Sequence, residues 1–355
     1  MTSKLRHVTI ARDDYRYEAF PDVCRLQGDG LLCAYRESDY HGASTSRLVL
    51  IESRDRGRTW TNQRQLDVTL SIREDRSVWN NPRLVRLPGG RIVATLDIHF
   101  LEDGGVRGIG SLYCHQNWLS FSEDDGQTWT ERHLTAVEGI GPSRVVPRTE
   151  NHWLMANTHS LGRFPDATRV EVVHSYDGGL TWPISALGAE QEGFQHEEPA
   201  LLDLPDGRVL MVMREDMHTN RPSHYVISED EGYVWSTPRP GPFYGDRPTG
   251  GVLQSGRLLF TYRNVEPAPG ETTMKEGRNP GTWAWLGDMA GLAGAGGESR
   301  FLELERDPCG RYGDYGYSGW VQFDDGEIFC AYHHRDEAPK SYIRGCWFRE
   351  DDFPD

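Results

Sequence analysis

The stretch Ser53-Arg54-Asp55-Arg56-Gly57-Arg58-Thr59-Trp60 decides how the rest of the chain is read, because it returns three times. It comes back as Ser122-Glu123-Asp124-Asp125-Gly126-Gln127-Thr128-Trp129, as Ser175-Tyr176-Asp177-Gly178-Gly179-Leu180-Thr181-Trp182, and as Ser228-Glu229-Asp230-Glu231-Gly232-Tyr233-Val234-Trp235. The common form is S-x-D-x-G-x-T-W, and the last copy departs from it at Val234. The copies begin 69, 53 and 53 residues apart (122 − 53, 175 − 122, 228 − 175), in the range of one propeller blade with its loops. Ser and Asp side chains bond nearby backbone groups and hold a tight turn. Gly supplies the positive φ of such a turn, and an inward Trp packs between neighbouring sheets. Each copy is therefore expected to be a hairpin that fastens its own blade.

A second unit, strand–Gly turn–strand, recurs around the first. It reads VCRLQGDGLLCAY from Val23, RLVRLPGGRIVATL from Arg83, ALLDLPDGRVLMVM from Ala200, GVLQSGRLLFTY from Gly251 and WVQFDDGEIFCAY from Trp320. VVPRTENHWLMAN, from Val145, fills the remaining slot without a Gly. Apolar residues flanking such turns are the hairpin signal. The turns fall at Gly30, Gly90, Asn151, Gly207, Gly256 and Gly326, and six units imply six blades. The expected fold is all-β, a six-bladed β-propeller over residues 1–355 with no linker dividing it. No helical periodicity persists; Asp288–Gly297 reads as a short helix or a loop.

With 11 Trp, 15 Tyr and 12 Phe in 355 residues, the chain has ample material for a core. A formal net charge of −16 sets it against nucleic acid and anionic membranes, although arginines gathered in one cleft can still hold a small anion. The N-terminus has no apolar run of signal-peptide length, and no stretch approaches a membrane span, so a cytoplasmic location is expected. Cys24, Cys33, Cys114, Cys309, Cys330 and Cys346 fit neither a zinc motif nor a dense disulfide scaffold and read as reduced thiols. The histidines lack paired metal spacing, no Asp-x-Asp-x-Asp loop calls for calcium, and the GAGG near residue 294 lacks a strand–helix setting. No cofactor or metal is implied.

The four S-x-D-x-G-x-T-W copies resemble the Asp boxes of sialidases and the wider bacterial-neuraminidase-repeat proteins. That resemblance implies boxes on the rim and a site where the inner strands converge on the central channel. Tyr317-Ser318-Gly319-Trp320-Val321-Gln322-Phe323-Asp324-Asp325-Gly326 is similar to the sialidase stretch Tyr-Ser-Cys-x-Thr-x-Leu-x-Asp-Gly, whose Tyr is the nucleophile. The resemblance thus makes Tyr317 the nucleophile candidate; a strand Tyr with its ring in the core, like Tyr315 nearby, is the alternative. A phenol with a pKa near 10 needs a base beside it. Alignment on the Pro205-Asp206-Gly207 turn puts Glu198 at that base's position and Arg214 on one of the family's three substrate-binding arginines. A charged Arg ending an apolar strand calls for a partner, and Glu198 and Asp216 are at hand. Arg278, in Arg278-Asn279-Pro280-Gly281, matches a further arginine of the triad, with Arg247 and Arg263 as competitors. Guanidinium groups suit the task because they bind a carboxylate bidentately.

The resemblance breaks at the first blade. Sialidases open with Arg-Ile-Pro; here the triplet is Ala19-Phe20-Pro21, so the first arginine is missing from its place, with Arg16 and Arg36 nearby. The family's acid/base Asp lies on the loop after the next strand. Asp39 is its positional counterpart, and His41 is the alternative because His titrates near neutral pH. Asn81-Pro82-Arg83 and Asp97-Ile98-His99 can add cleft contacts. The function implied is an exo-acting, retaining glycoside hydrolase acting on a terminal sialic acid or related acidic sugar. The alternatives are a glycosidase or polysaccharide lyase of the same fold with a different sugar, and a non-catalytic glycan-binding propeller.

Overall fold

The computed structural model describes residues 5–42, 46–66, 77–100, 114–130, 133–160, 168–216, 221–267, 280–307 and 315–354. These form six antiparallel sheets that follow one another around a ring as the blades of a β-propeller. Blade one is Tyr17–Arg25, Leu31–Ser38, Ser46–Ser53 and Thr61–Gln65. Blade two is Ile92–Phe100, Cys114–Ser122 and His133–Glu138, with an inner strand broken into Ser77–Trp79 and Arg83–Arg86. Blade three is Val146–Pro147, Trp153–Ser160, Thr168–Ser175 and Ile184–Glu190; blade four is His196–Asp203, Val209–Glu215, His224–Ser228 and Arg239–Pro240. Blade five is Gly245–Val252, Leu258–Asn264, Gly281–Gly287 and Ser299–Arg306. Blade six is Ser318–Gln322, Ile328–His334 and Tyr342–Phe348, and its outer strand is Arg6–Ala11, from the start of the chain. No described helix is long and apolar enough to cross a membrane.

All six inner hairpins turn where expected, five at their Gly and the sixth at Asn151. The closing bond runs from the N–H of Leu26, Leu87, Arg148, Leu204, Leu253 or Phe323 to the carbonyl four residues on, at 2.8–2.9 Å. The second strands (LLCAY, VLMVM, LLFTY, IFCAY) are apolar but for Thr261 because each blade is buried on both faces. Leu31, Cys33 and Tyr35 pack toward blade six, while Leu32 and Ala34, between them, pack toward blade two. Period-two alternation therefore divides one strand between two cores. Among the described residues, six core clusters lie one at each blade–blade seam, and a seventh, smaller one joins Tyr17, Ala19, Phe20 and Tyr317.

The four S-x-D-x-G-x-T-W segments are alike in hydrogen bonding. In the first, Ser53 Oγ donates to Asp55 Oδ1 (2.8 Å) and accepts from Gly57 N (2.8 Å), while Asp55 accepts from Thr59 N (2.8 Å) and Thr59 Oγ1 (2.7 Å). Gly57 has φ +87°, and Trp60 Nε1 donates to its carbonyl at 2.8 Å. Asp124 and Asp177 repeat the set; Asp230 receives Val234 N at 2.8 Å but, with Val there, no hydroxyl. Trp60, Trp129, Trp182 and Trp235 each pack, partly buried, against a seam cluster. Blade five has a four-residue helix, Met289–Leu292, in the equivalent connection, capped by Asp288, which accepts from Gly291 N at 2.7 Å. Cys24, Cys33, Cys330 and Cys346 are buried free thiols.

Candidate active site

The inner strands share a backbone device that aims side chains at the axis. Phe20, Glu198 and Arg247 each precede a proline, and each has a positive φ, of 58°, 50° and 49°. A proline bars the preceding residue from the right-handed helical region. Here the strand bulges instead, with register shifts between Ala19 and Asp22, Glu197 and Ala200, and Asp246 and Thr249. Asn81-Pro82 breaks the inner strand of blade two, and Gly141-Pro142 leads into that of blade three. Phe20, Asn81, Glu198 and Arg247 each lie 6 residues before the hairpin-closing N–H (26 − 20, 87 − 81, 204 − 198, 253 − 247); so does Tyr317 (323 − 317), without a proline. Such non-Gly positive-φ conformations cost on the order of 1–3 kcal/mol each and cluster at functional sites.

The closed ring brings Tyr317 and Glu198 together. Tyr317 Oη donates to Glu198 Oε1 at 2.6 Å across the ring. Arg214 Nη1 bridges them, 3.1 Å from Tyr317 Oη and 3.3 Å from Glu198 Oε2. Arg214 also pairs with Asp216, and its Nε lies 3.0 Å from Asp246 Oδ1, so the partners expected for this arginine are both present and a third joins them. Arg263 donates to Asp246 Oδ2 through Nη2 (2.6 Å) and Nε (3.1 Å). Its guanidinium stacks 4.5 Å from the centroid of the Tyr317 ring, and its Nη2 approaches Tyr317 Oη at 3.4 Å. Asp246, 1 % exposed, thus anchors both arginines that touch the phenol.

The electrostatics fix the protonation of the pair. Burial raises the Tyr317 phenol well above its ordinary 10, against the pull of Arg263 and Arg214. Burial also works to raise the Glu198 carboxyl, but Arg214, Arg247 and the Tyr317 hydroxyl outweigh it and hold it below the usual range. The resting state is a neutral phenol donating its hydrogen bond to a carboxylate. Burial, with Asp216 close by, raises the neighbouring Glu197.

The other expected residues lie around this centre. The Arg247 guanidinium, 1 % exposed, donates to the carbonyls of Gly141 (2.9 Å) and Pro142 (3.3 Å), while its backbone N–H donates to Glu198 Oε2 (3.0 Å). Arg83 is buried deeper on the axis and donates to Thr249 Oγ1 at 3.1 Å. Arg36 lies over Phe20 (4.8 Å) and bonds Asn80 Oδ1, Ser38 Oγ and the carbonyls of Tyr40 and His41, fastening the loop that carries Asp39. His41 accepts or donates at 2.8 Å to Tyr17 Oη and stands edge-on to Phe20, whose ring lies 5.4 Å from that of Tyr317. Asp39 is exposed and paired with Arg16 at 2.7 Å. Ala19, in the place of the missing arginine, is fully buried. Asp97 is buried and accepts from Gly141 N and Asn80 Nδ2. Arg278 lies outside the described residues. Asp246 went unnoticed in the sequence; its signal was the X-Pro step that lies 6 residues before the hairpin-closing N–H in blades one, two, four and five.

The BNR repeat-like domain family matches this chain over residues 68–330. No curated protein sequence matches it. Among solved structures, a protein of unknown function from Dyadobacter fermentans superposes with a TM-score of 0.78 at 19 % identity, covering 97 % of both chains. Hadza microbial sialidase Hz136 follows at 0.68 and 16 %, covering 95 % of this chain and 66 % of that one. The intramolecular trans-sialidase from Ruminococcus gnavus, in complex with oseltamivir carboxylate, gives 0.66 and 13 %, covering 95 % of each. At these identities the likeness is one of fold. With a family match over most of its length and six blades closed into a ring, the chain belongs to the BNR repeat-like domain family and is a sialidase-like β-propeller.

Proposed function

We propose that the protein is a retaining, exo-acting glycoside hydrolase of the sialidase type, releasing a terminal sialic acid or a related acidic sugar. The observation that carries this reading is the 2.6 Å contact between Tyr317 Oη and Glu198 Oε1, bridged by Arg214. A binding module has no need of a nucleophile held against its base. In the first step Tyr317 Oη attacks the anomeric carbon, Glu198 takes the phenolic proton, and an acid on the blade-one loop protonates the departing oxygen. In the second, that group, now a base, deprotonates a water that attacks the same carbon. The tyrosyl oxygen leaves and recovers its proton from Glu198. Tyrosine nucleophiles stand apart from the two-carboxylate pattern of most glycosidases. A neutral phenol approaches an anionic sugar without the repulsion a carboxylate would meet. Arg214 and Arg278 are the candidates for holding the substrate carboxylate.

Asp39 is the positional choice for the acid. His41 gains from one observation: its ring touches Phe20, which packs on Tyr317, whereas the Asp39 carboxylate pairs with Arg16 at half-exposed range. The test is release of a fluorogenic aglycone from an α-sialoside by wild type and by Tyr317→Phe. Release by wild type alone supports the assignment, and an equal rate in the variant sinks it. If neither acts, a panel of uronides and neutral glycosides follows, with product absorbance read for the new double bond that only elimination makes.

A further inference from the structure

The S-x-D-x-G-x-T-W turns leave their x positions free, and two of those positions carry tyrosines that meet at one seam. Tyr176 is the first x of the third copy and Tyr233 the last x of the fourth. Both lie on the face of the ring away from Tyr317. Ser175 pairs with Trp153 and Ser228 with Val209, so these turns sit beside the inner hairpin turns. Tyr317 and Glu198 stand toward the opposite ends of their blades.

Beneath the tyrosines lie His152 and His174. A hydrogen bond joins His152 Nε2 and His174 Nδ1 at 3.2 Å, and the ring centroids are 5.5 Å apart with planes 17° from parallel. Imidazoles so joined lie side by side in one layer rather than one on the other. Tyr176 stacks on His152 at 4.8 Å and 12°, and Tyr233 on His174 at 4.4 Å and 16°. The two tyrosine hydroxyls meet, which puts both phenol rings on the same side of the histidine layer. The histidines are buried, whereas Tyr176 and Tyr233 are 41 % and 39 % exposed. The pair is a flat aromatic platform fixed from below, so little ordering cost remains for a ligand to meet. Leu180 and Val234, 50 % and 68 % exposed, belong to the same two turns and extend the apolar surface.

A contiguous exposed patch of this kind marks a binding surface, and tyrosine gives it flat apolar faces with polar tips. Burial holds both imidazoles below the ordinary 6.5, so the lower layer is uncharged at neutral pH. The adjoining turns carry the carboxylates of Glu150, Asp177, Glu229, Asp230 and Glu231, while Arg148 and Arg208 are paired with Asp203 and Asp206. That field repels nucleic acid and sulfated or uronate polymers. A neutral sugar chain meets no such penalty: the C–H faces of its rings lie on the phenols, and its hydroxyls can donate to the carboxylates. Clefts of about 770 and 580 Å³ adjoin the two turns, one lined by Asn151, Asp177 and Gly178, the other by Asp230 and Val234. They leave room for a chain longer than the platform.

We infer that Tyr176 and Tyr233 form a carbohydrate-binding site, apart from the Tyr317 centre, that takes a neutral β-1,4-linked oligosaccharide. The linkage follows from the flatness. A β-1,4 chain is an extended ribbon that lays successive ring faces on a plane, whereas an α-1,4 chain curls away from one. The site lies across the ring from Tyr317 and does not depend on the proposed reaction.

The test is calorimetric titration of the full-length protein with cellohexaose, mannohexaose and chitohexaose, with maltohexaose and a heparin hexasaccharide as comparisons. At least one β-1,4 hexasaccharide should bind with a Kd of ~1 mM or tighter, and more tightly than either comparison. Tyr176→Ala and Tyr233→Ala should each weaken that binding about 3- to 10-fold. The corresponding Phe variants should keep it within about twofold, because the ring faces make the contact. Silence of all three β-1,4 sugars, preference for the heparin fragment, or binding that survives the double Ala variant overturns the inference. Self-association of the wild type through this platform, with no sugar bound, does so too. If the double Ala variant does not fold, 3-fluorotyrosine-labelled wild type decides by fluorine NMR. The resonances that Tyr176→Phe and Tyr233→Phe remove should shift on adding the sugar, and their constancy refutes the site.

Discussion

Replacing Asp246 with Asn removes the anchor on which the arrangement around Tyr317 depends. The carboxylate is 1 % exposed, receives Arg263 twice (2.6 and 3.1 Å) and faces Arg214 Nε at 3.0 Å. Hydrogen bonds to charged groups contribute about 1.5–3 kcal/mol each, less the cost of burying the carboxylate, which already raises its pKa. Asn retains one acceptor but turns an NH2 toward guanidinium donors and leaves two buried cations facing one another. Breaking a buried pair from one side costs about 3–5 kcal/mol, and the loss expected here falls in that range. Asp216 provides the internal comparison. It pairs with the same Arg214 but is 19 % exposed, so Asp216→Asn should cost about 1 kcal/mol. Urea unfolding followed by tryptophan fluorescence measures both, and a cycle with Arg263→Met isolates the coupling. A loss below ~1 kcal/mol for Asp246→Asn, or equal losses for the two variants, would show that Asp246 is not the anchor.

Other outcomes follow from the same structure. Glu18 is 1 % exposed beside Glu37, and burial, then Glu37, raise its carboxyl from 4.5 to about 8. The folded state therefore holds a proton that the unfolded chain gives up above pH 4.5, and stability falls by up to about 1.4 kcal/mol per pH unit from 4.5 to about 8. Glu18→Gln should remove that slope in denaturation midpoints taken across the window. Val234→Thr restores the hydroxyl that Asp230 lacks and should stabilise by about 0.5–1.5 kcal/mol in urea melts. Gly57→Ala puts a methyl 2.8 Å from the Phe329 ring at φ +87°, for a cost of about 2–4 kcal/mol; Gly207→Ala, at φ +89° with nothing within 4 Å, pays only the backbone strain of about 1–2 kcal/mol. Equal midpoints for the two Ala variants would contradict that reading of the turn.

The architecture was legible wherever turn chemistry is local. A Ser, an Asp, a Gly and a Trp at fixed spacing define their turn without help from the rest of the chain, and they do so in all four copies. The six inner hairpins were equally plain, because each turn interrupts a run that is apolar on both faces. Tyr317 and Glu198 came from resemblance, 119 residues apart (317 − 198), and only the closed ring brings them to hydrogen-bond distance. Two of the partners of Arg36 were hidden because they are backbone carbonyls of a loop whose path the side chains do not announce. The role of Asp246 depends on two strands of two different blades meeting Arg214 and Arg263 at once. Arg6–Ala11 gave no sign of its destination: RHVTIA reads as any edge strand, and its partner is the last strand of the chain.

That pairing sets the timing of synthesis. Arg6 opposes Trp347, 341 positions away (347 − 6), so the outer strand of blade six, made early, has no neighbour until Tyr342–Phe348 has left the ribosome. At 5–20 residues per second, the first strand waits roughly 20 to 70 s for its neighbour. Through that interval Arg6–Ala11 has no strand to pair with; without Arg6–Ala11, in turn, Tyr342–Phe348 presents a bare edge open to pairing with another copy of the chain. A chain lacking residues 1–11 should keep that edge indefinitely and associate in proportion to its concentration, which light scattering during refolding would register.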